Sequence, residues 1–230
     1  SVVPGKYLLD NLRNMLSMVN MPRGFLNSAI VSFSSTFLSI YFGAMTAFGL
    51  FEYKFKLKKV IYVILMVSMM VPGHLGIIGL FKLCNNLGLL NTYWPLILPC
   101  IANSSTIFFI LQYLQSSMSE ELLDSARIDG AGEVKIFHSF ILPLSKPALS
   151  TMVIFNFVSY WNNFFNPMIL LFDDKKFTVP LLINNLNSGM LQDLGAKYSA
   201  IAISIVPIIL VYCLISKRLT SGMMAGAIKS

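Results

Sequence analysis

Five long stretches of the chain carry no charged side chain, and they cover residues 24–51, 60–81, 83–119, 147–172 and 198–216. Their lengths are 28, 22, 37, 26 and 19 residues. A helix needs roughly 20 apolar residues to cross about 30 Å of hydrocarbon, and each stretch contains such a segment. The pattern therefore predicts a bundle of five transmembrane helices, at about residues 25–50, 60–81, 95–115, 148–171 and 198–216.

The composition agrees with this prediction. Hydrophobic residues make up 56% of the chain and charged residues only 12%, which is too apolar for an ordinary soluble domain. We therefore predict an all-α membrane protein, with one transmembrane domain over residues 1–230, located in the cell (plasma or inner) membrane. The net charge of +7 does not indicate a nucleic-acid partner, because the basic residues lie in short loops rather than on one aromatic-rich face.

The distribution of Lys and Arg predicts the orientation of the chain. With Ser1 outside and Ser230 inside, the inner side would hold ten basic residues and the outer side seven. The inner ten are Lys54, Lys56, Lys58, Lys59, Arg127, Lys135, Lys146, Lys217, Arg218 and Lys229, and the outer seven are Lys6, Arg13, Arg23, Lys82, Lys175, Lys176 and Lys197. Because cytoplasmic loops are enriched in Lys and Arg, this orientation is favoured.

Small and polar residues recur on one face of the first predicted span. They are Ser28, Ser32, Ser35, Ser39, Gly43 and Thr46, and steps of three and four residues return to the same side of a helix. Small residues let helix backbones approach closely in lipid, so the stripe predicts a helix interface. The alternative is a set of small polar residues that are merely tolerated.

The inner loop 116–146 is predicted to form two short helices outside the membrane. Ser117 followed by Glu120 matches a capping box, which indicates the start of the first helix. The Asp-Gly-Ala-Gly segment 129–132 interrupts that helix, and Glu133 begins a second one that runs toward Pro143.

The first of these helices combines apolar and acidic residues. Its apolar positions are Leu122, Leu123, Ala126 and Ile128, and its acidic ones are Glu120, Glu121, Asp124 and Asp129. A helix that lies on a lipid surface is usually rich in Lys and Arg, whereas this one is acidic. The pattern therefore favours insertion of the helix into a groove of a protein partner.

The loop resembles the cytoplasmic signature loop of permeases of binding-protein-dependent ABC importers. That pattern runs Glu-Ala-Ala, three residues, Gly, nine residues, Ile, one residue, Leu-Pro. The matching positions here are Asp124-Ser125-Ala126, Gly130, Phe140 and Leu142-Pro143, and Glu121, Ile128, Asp129, Ala131, Phe137 and Pro147 also fit. Three positions differ conservatively, because Asp124 replaces Glu, Ser125 replaces Ala and Phe140 replaces Ile.

Three more segments resemble the maltose-type carbohydrate permeases within that family. They are Asn27-Ser28, the Trp-Asn-Asn-Phe-Phe-Asn-Pro segment 161–167, and the C-terminal segment 222–229. Members of the family usually carry one more helix before the position of Ser1. The resemblance therefore implies six transmembrane helices in the intact protein.

The resemblance also implies a function and a set of partners. The chain would form a pathway for a sugar or oligosaccharide that an extracytoplasmic solute-binding protein delivers, together with a second permease subunit that is a different chain or a copy of this one. A cytoplasmic ABC ATPase dimer would dock on the loop, through the positions Glu121, Asp124, Ser125, Ala126, Asp129, Gly130, Ala131, Leu142 and Pro143.

The chain itself lacks the motif for binding ATP phosphates. Its only Gly-Lys pair is Gly5-Lys6, and Tyr7 follows where a phosphate-binding loop has Ser or Thr. ATP hydrolysis is therefore expected from a partner, and we expect no catalytic residue, metal site or cofactor in this chain.

Polar residues on the fourth predicted span are candidates for the substrate pathway. Asn156, Ser159, Asn163 and Asn166 recur at steps of three, four and three residues and fall on one narrow helix face, and Tyr160 would add an aromatic wall. Amides are costly in hydrocarbon unless they find hydrogen-bond partners. The face therefore lines a wet pathway or joins this helix to others, and the sequence leaves both possibilities open.

Three other functions explain the sequence less well. An ion-coupled carrier typically keeps ionisable side chains in its spans, and only His74 is found there. An intramembrane enzyme would need a nucleophile and base, metal ligands or paired carboxylates at membrane depth, and the spans do not assemble them. A purely structural scaffold would leave the signature loop unexplained.

Overall fold

The computed structural model describes residues 7–186 and 193–227, with side chains described over 7–119, 121–186 and 193–216. Within these ranges the chain is helical and contains no strand, which confirms the predicted all-α fold. The α-helices are α1 (Leu8–Met18), α2 (Met21–Glu52), α3 (Lys58–Met70), α4 (Ile77–Asn86), α5 (Trp94–Ile97), α6 (Ser104–Ser117), α7 (Glu120–Ile128), α8 (Glu133–Ile136), α9 (Leu142–Leu144), α10 (Lys146–Trp161), α11 (Phe165–Leu170), α12 (Val179–Asn185), α13 (Leu194–Ser204) and α14 (Val206–Ala227). Lys6 and the side chains of the C-terminal segment 217–230 lie outside the described part.

The central element is α2, an uninterrupted helix of 32 residues. The Asn20 side chain caps its start by accepting the Arg23 N–H. At 1.5 Å per residue the helix is about 48 Å long, well above the roughly 30 Å of a hydrocarbon core. Five positions of the small-residue stripe are buried against neighbouring helices and Thr46 is half-buried, which confirms the predicted helix interface.

Three helical segments are long and apolar enough to cross a membrane by themselves. They are Met21–Glu52, Trp94–Ser117 and Leu194–Ser216. Two further pairs of helices are bent, Lys58–Met70 with Gly73–Asn86 by 97° and Glu133–Leu144 with Lys146–Trp161 by 77°. The described part of the chain therefore holds three candidate spans, or five if each bent pair is one span.

Two of the predicted spans are interrupted, the first of them at a proline. In the range 60–81, Val71 and Pro72 are extended and end α3, because proline cannot supply a helical N–H. In the range 148–171 the helix ends at Trp161, and α11 starts only at Phe165. Neither of these two predicted spans is therefore one continuous helix.

Two buried apolar clusters lie along α2. The first surrounds its N-terminal half, where Met21 and Val31 pack with residues of α10, α12 and α13. The second surrounds its C-terminal half, where Ala47 and Phe48 pack with α6, α7 and the segment Phe137–Ile141. Buried polar side chains lie between the two clusters, so the core of the helix bundle is interrupted by a polar layer halfway along α2.

Candidate functional site

The loop 116–146 folds into the predicted helical hairpin, with a different first turn. Ser117 is the last residue of α6, and the hairpin helix α7 starts at Glu120 after Ser119, whose side chain makes no capping hydrogen bond. The expected capping box from Ser117 is therefore wrong, because two residues of non-helical chain separate the helices. After the turn, α8, a π-helical turn at Phe137–Ile141 and α9 lead into α10.

The turn between α7 and α8 depends on Gly130. Its φ of +80° lies in the left-handed region that favours glycine. The Ala131 N–H donates to the Ala126 carbonyl at 3.0 Å and the Gly130 N–H donates to the Arg127 carbonyl at 2.9 Å, which is the Schellman arrangement at a helix C-terminus. A Cβ at Gly130 would meet no atom within 4 Å, so only the backbone conformation requires glycine here.

The hairpin has one face buried in the protein and one face exposed. Leu123 and Ala126 are buried in the second cluster. On the other side Leu122, Ile128 and Val134 are 40%, 87% and 75% exposed. The four apolar residues expected to form one docking surface are therefore divided, and Leu123 and Ala126 attach α7 to its own chain.

The remaining residues of the expected coupling set lie around these two faces. Glu121, Asp124, Ser125, Asp129 and Pro143 are exposed, whereas Ala131 and Leu142 are half-buried. Ser125 donates to the Glu121 carbonyl at 2.8 Å, so its hydroxyl is satisfied within α7. The exposed part of the hairpin thus mixes apolar side chains and carboxylates.

An ionic cluster fixes the hairpin to the C-terminal end of α2. One Arg127 nitrogen, Nη1, lies 2.6 Å from Glu52 Oε1 and 3.1 Å from Asp124 Oδ1, and Nε lies 2.9 Å from Glu133 Oε1. The Tyr53 hydroxyl also donates to Glu133. The guanidinium therefore joins α2, α7 and α8 at one point.

The ionisation of this cluster follows from its hydrogen bonds. Arg127 and then Tyr53 donate to Glu133, and these bonds lower the pKa of its carboxyl group. Glu133 and then Glu52 raise the pKa of Arg127, so the guanidinium stays charged. Burial and the bond to Glu133 raise the pKa of Tyr53 to about 12. At neutral pH Glu133 is therefore a carboxylate, Arg127 is a cation and Tyr53 is a neutral phenol.

The opposite end of α2 holds a different loop. The Asn27 amide donates to the carbonyls of Lys175 and Phe177 at 3.0 and 2.9 Å, and the Ser28 hydroxyl accepts the Val179 N–H at 2.8 Å. Arg23 also donates to the Lys175 carbonyl. From position 23 to position 52, α2 rises by about 44 Å. The hairpin and the loop around Lys175 thus lie at opposite ends of a helix that is longer than a bilayer core.

The polar layer halfway along α2 joins three helices. Asn156 of α10 donates to Ser39 of α2 at 3.1 Å and to Thr106 of α6 at 2.8 Å, and all three side chains are buried. Ser39 and Thr106 are themselves 3.3 Å apart. We call Ser39, Thr106 and Asn156 the polar triad. It satisfies amide and hydroxyl groups inside the bundle, as interhelical polar contacts do in lipid.

Of the other expected pathway residues, Ser159 and Tyr160 lie on the same helix as Asn156, whereas Asn163 and Asn166 lie beyond its end. Ser159 is exposed on α10, and half-buried Tyr160 accepts a hydrogen bond from Asn103 at 2.9 Å. Asn163 lies in the break after Trp161 and accepts the Asn166 N–H at 3.3 Å. The break places Asn163 and Asn166 outside α10, so the expectation that all four residues share one continuous helix face is wrong.

Sequence reasoning missed Glu52, Tyr53 and Asn103 as contributors to these sites. Glu52 is the one charge that directly follows the uncharged stretch 24–51, and the hairpin carries the oppositely charged Arg127. The signal in the sequence was therefore a single acidic residue at the end of an apolar helix and a basic residue in the loop 116–146 with which it could pair. No comparable pattern in the sequence indicated the contacts of Asn103.

Several known proteins are similar to this chain. The arabinooligosaccharides transport system permease protein AraQ of Bacillus subtilis is 35% identical over 205 residues, which cover 89% of this chain and 73% of that protein. The diacetylchitobiose uptake system permease protein NgcG of Streptomyces coelicolor is 32% identical over 231 residues, which cover 99% of this chain and 76% of that protein.

A solved structure and a family model agree with these relatives. One solved structure has the same fold: a chain in the crystal structure of a bacterial ABC transporter involved in the import of the acidic polysaccharide alginate. The two chains superpose with a TM-score of 0.77 and are 23% identical, and the match covers 90% of this chain and 78% of that one. The model of the family described as binding-protein-dependent transport system inner membrane component matches residues 39–224. That range includes the whole hairpin, which confirms the resemblance of the loop. The chain therefore belongs to the family of inner membrane components of binding-protein-dependent transport systems, as a membrane-embedded permease subunit and not an enzyme.

Proposed function

We propose that this chain is one of two permease subunits of an ATP-driven importer, and that it carries a sugar or oligosaccharide delivered by an extracytoplasmic binding protein. AraQ and NgcG are named for arabinooligosaccharide transport and diacetylchitobiose uptake, two carbohydrate classes. A lactose transport system permease protein, LacG, is also 28% identical over 98% of this chain. These names support a carbohydrate as the transported class.

The observation that carries the proposal is the position of the hairpin. Glu52 and Arg127 attach it to the end of α2, and its far side exposes Leu122, Ile128 and Val134. An exposed helix face that carries both apolar and acidic side chains suits a groove on a protein partner. A cytoplasmic ATPase dimer that closes on this face would move the hairpin, and the hairpin would move α2.

The turn at Gly130 provides a test of this coupling. Gly130→Leu forces a bulky residue into φ +80°, whereas Gly132→Leu places the same side chain at φ −74°, and neither Cβ meets an atom within 4 Å. We expect Gly130→Leu to insert into the membrane and to hydrolyse ATP without transport, while Gly132→Leu transports normally. Sugar uptake and ATPase activity are measured in the same proteoliposomes. Normal transport by Gly130→Leu would show that the turn has no coupling role.

Crosslinking tests the docking face. Ile128 is exposed and Ala126 is buried in the chain's own core, so Ile128→Cys should crosslink to the ATPase and Ala126→Cys should not. Both cysteines are placed in a background without Cys84, Cys100 and Cys213. Crosslinking through Ala126 but not Ile128 would place the ATPase on the opposite face of α7.

The same background tests the topology. Single cysteines at exposed Ser125 and Lys175 should react with a membrane-impermeant reagent from opposite sides, Lys175→Cys from outside and Ser125→Cys from inside. Their positions at the two ends of α2 support this arrangement. Labelling of both from the outside would contradict the proposed orientation.

The substrate pathway remains a proposal, and we narrow it to Ser159, Tyr160 and Asn163. Asn156 is fully engaged in the polar triad, whereas Ser159 is exposed and Asn163 is half-buried. Asn163→Ala should keep subunit association and basal ATPase activity but lose transport or change which sugar is carried. Loss of assembly, with normal transport by the surviving complexes, would assign Asn163 to an interface.

A further inference from the structure

A basic cavity lies between α2, α3 and α6, near the same end of α2 as the hairpin. Its volume is about 410 Å³, within the roughly 300–1,000 Å³ range of small-ligand pockets. Leu50 and Leu111 form its apolar wall. Three lysines, Lys56, Lys58 and Lys59, line it as well. We call this space the lysine cavity.

The charges around the lysine cavity are unbalanced. Phe55, Tyr62 and Gln115 complete its described lining, which contains no carboxylate. The neighbouring acid, Glu52, is engaged by Arg127 instead. Lys58 donates to the Phe51 carbonyl at 3.3 Å, which fixes its ammonium group at the C-terminal end of α2. Three like charges around one space repel one another, so an anion in the cavity would be favoured.

The lysine cavity also lies at the depth of lipid headgroups. The uncharged stretch 24–51 ends beside it and the stretch 60–81 begins beside it, so it marks the boundary between the apolar and polar parts of these helices. Phe55 and Tyr62 are aromatic residues at this boundary, a position where aromatic rings are common in membrane proteins. Basic pockets between membrane helices are suited to anionic lipid headgroups.

We infer that the lysine cavity binds the phosphodiester headgroup of an anionic phospholipid. Lys56, Lys58 and Lys59 would hold the phosphate oxygens, and the acyl chains would follow the exposed apolar surface of α3. Val60, Val63, Ile64 and Val67 on that helix are 51%, 52%, 60% and 53% exposed. The combination of a cationic pocket and an adjoining apolar surface favours a lipid over a free phosphate ion.

The inference is tested with the purified protein in detergent and three probes: short-chain phosphatidylglycerol, short-chain phosphatidylcholine and inorganic phosphate. Native mass spectrometry counts bound lipid, and thermal unfolding reports stabilisation by each probe. The variant Lys56→Gln/Lys59→Gln spares Lys58, which also bonds to α2. Its charge-matched control is Lys54→Gln/Lys82→Gln, in which both exposed lysines lie outside the cavity lining. Circular dichroism without added lipid verifies that all variants are folded.

We expect phosphatidylglycerol to bind and stabilise the protein, with about tenfold or greater weakening in Lys56→Gln/Lys59→Gln, since each lysine near an anionic lipid contributes about 1 kcal/mol. The control variant should bind as the unmodified protein does. Equal weakening in both variants would indicate general attraction to positive charge and would overturn the inference. Equal binding of phosphatidylcholine, or equal stabilisation by inorganic phosphate, would overturn the anionic lipid as the ligand.

Discussion

Replacing Arg127 by methionine removes the cation that attaches the hairpin to α2. The change keeps most of the apolar stem of the side chain while removing all of its hydrogen bonds. Glu52 is then left without its cationic partner in a site where its side chain is 9% exposed. The opposite change, Glu52→Gln, leaves Arg127 with Asp124 and Glu133. Both substitutions break the Arg127–Glu52 ion pair. Arg127→Met leaves Glu52 without a cation, whereas Glu52→Gln leaves Arg127 with two other carboxyl groups.

The burial of the three groups sets the expected magnitudes. Removing one partner of a buried ion pair costs about 3–5 kcal/mol, because a charge stays buried and unpaired. Arg127 is 29% exposed and Glu133 is 46% exposed, so the Arg127–Glu133 pair contributes only about 0–1 kcal/mol, as for other solvent-exposed pairs. We expect Arg127→Met to destabilise by about 3 kcal/mol and Glu52→Gln by about 1 kcal/mol.

The double variant separates the ion pair from other effects. Because Glu52→Gln removes the stranded charge, Arg127→Met/Glu52→Gln should be more stable than Arg127→Met alone by about 1–2 kcal/mol. Thermal unfolding of the purified protein measures stability. A cysteine at buried Ala126, in the background without native cysteines, measures detachment of the hairpin through its rate of thiol labelling. Labelling should be fastest in Arg127→Met.

Two results would refute this reasoning. Equal destabilisation by Glu52→Gln and Arg127→Met would mean that no buried charge is left stranded. Additive effects in the double variant would mean that Glu52 and Arg127 do not interact, whatever their distance of 2.6 Å.

Three further predictions follow from the packing and the charges. Gly43→Ala should destabilise the protein by about 1–3 kcal/mol, because the added Cβ would lie 2.9 Å from a Thr106 methyl carbon. Gly49→Ala should be neutral or stabilising, because its Cβ would meet no atom within 4 Å. Thermal unfolding compares the two variants. Asn156→Leu should destabilise by about 1–2 kcal/mol in the same assay, because it removes two interhelical hydrogen bonds. The pKa of Glu133 is lowered in the folded state. Its contribution to stability is therefore complete above its pKa in the unfolded chain, about 4.3, and is lost as the pH falls through its lower pKa in the folded protein. Unfolding midpoints measured against pH should therefore fall on acidification, and Glu133→Gln should reduce that slope.

The sequence was informative where one physical rule dominates. Stretches free of charge predicted a helical membrane protein because hydrocarbon excludes charged side chains. The spacing of Ser28 to Gly43 predicted a helix interface, and the structure buries those residues. The segment 129–132 was expected to interrupt the hairpin helix, and α7 ends just before it, with a φ of +80° at Gly130.

The sequence was less informative where tertiary contacts compete. Periodicity suggested one polar face from Asn156 to Asn166, but the helix ends at Trp161, whose indole donates to the Ser204 carbonyl on α13 at 3.1 Å. The division of α7 into a buried face and an exposed face depends on α2 and α6, which hydrophobic pattern alone does not place. The partners of Arg127 also come from segments 6 and 75 residues away.

The unbroken course of α2 has a mechanical consequence. The polar triad holds the helix near Ser39, the loop around Lys175 is bonded to Asn27, and the hairpin is bonded to Glu52. At 1.5 Å per residue the two arms from Ser39 are about 18 Å and about 20 Å long. A stiff rod pivoting at the triad would therefore act as a lever with nearly equal arms. A tilt that moves the hairpin by a given distance would swing the loop around Lys175 by almost the same distance in the opposite direction.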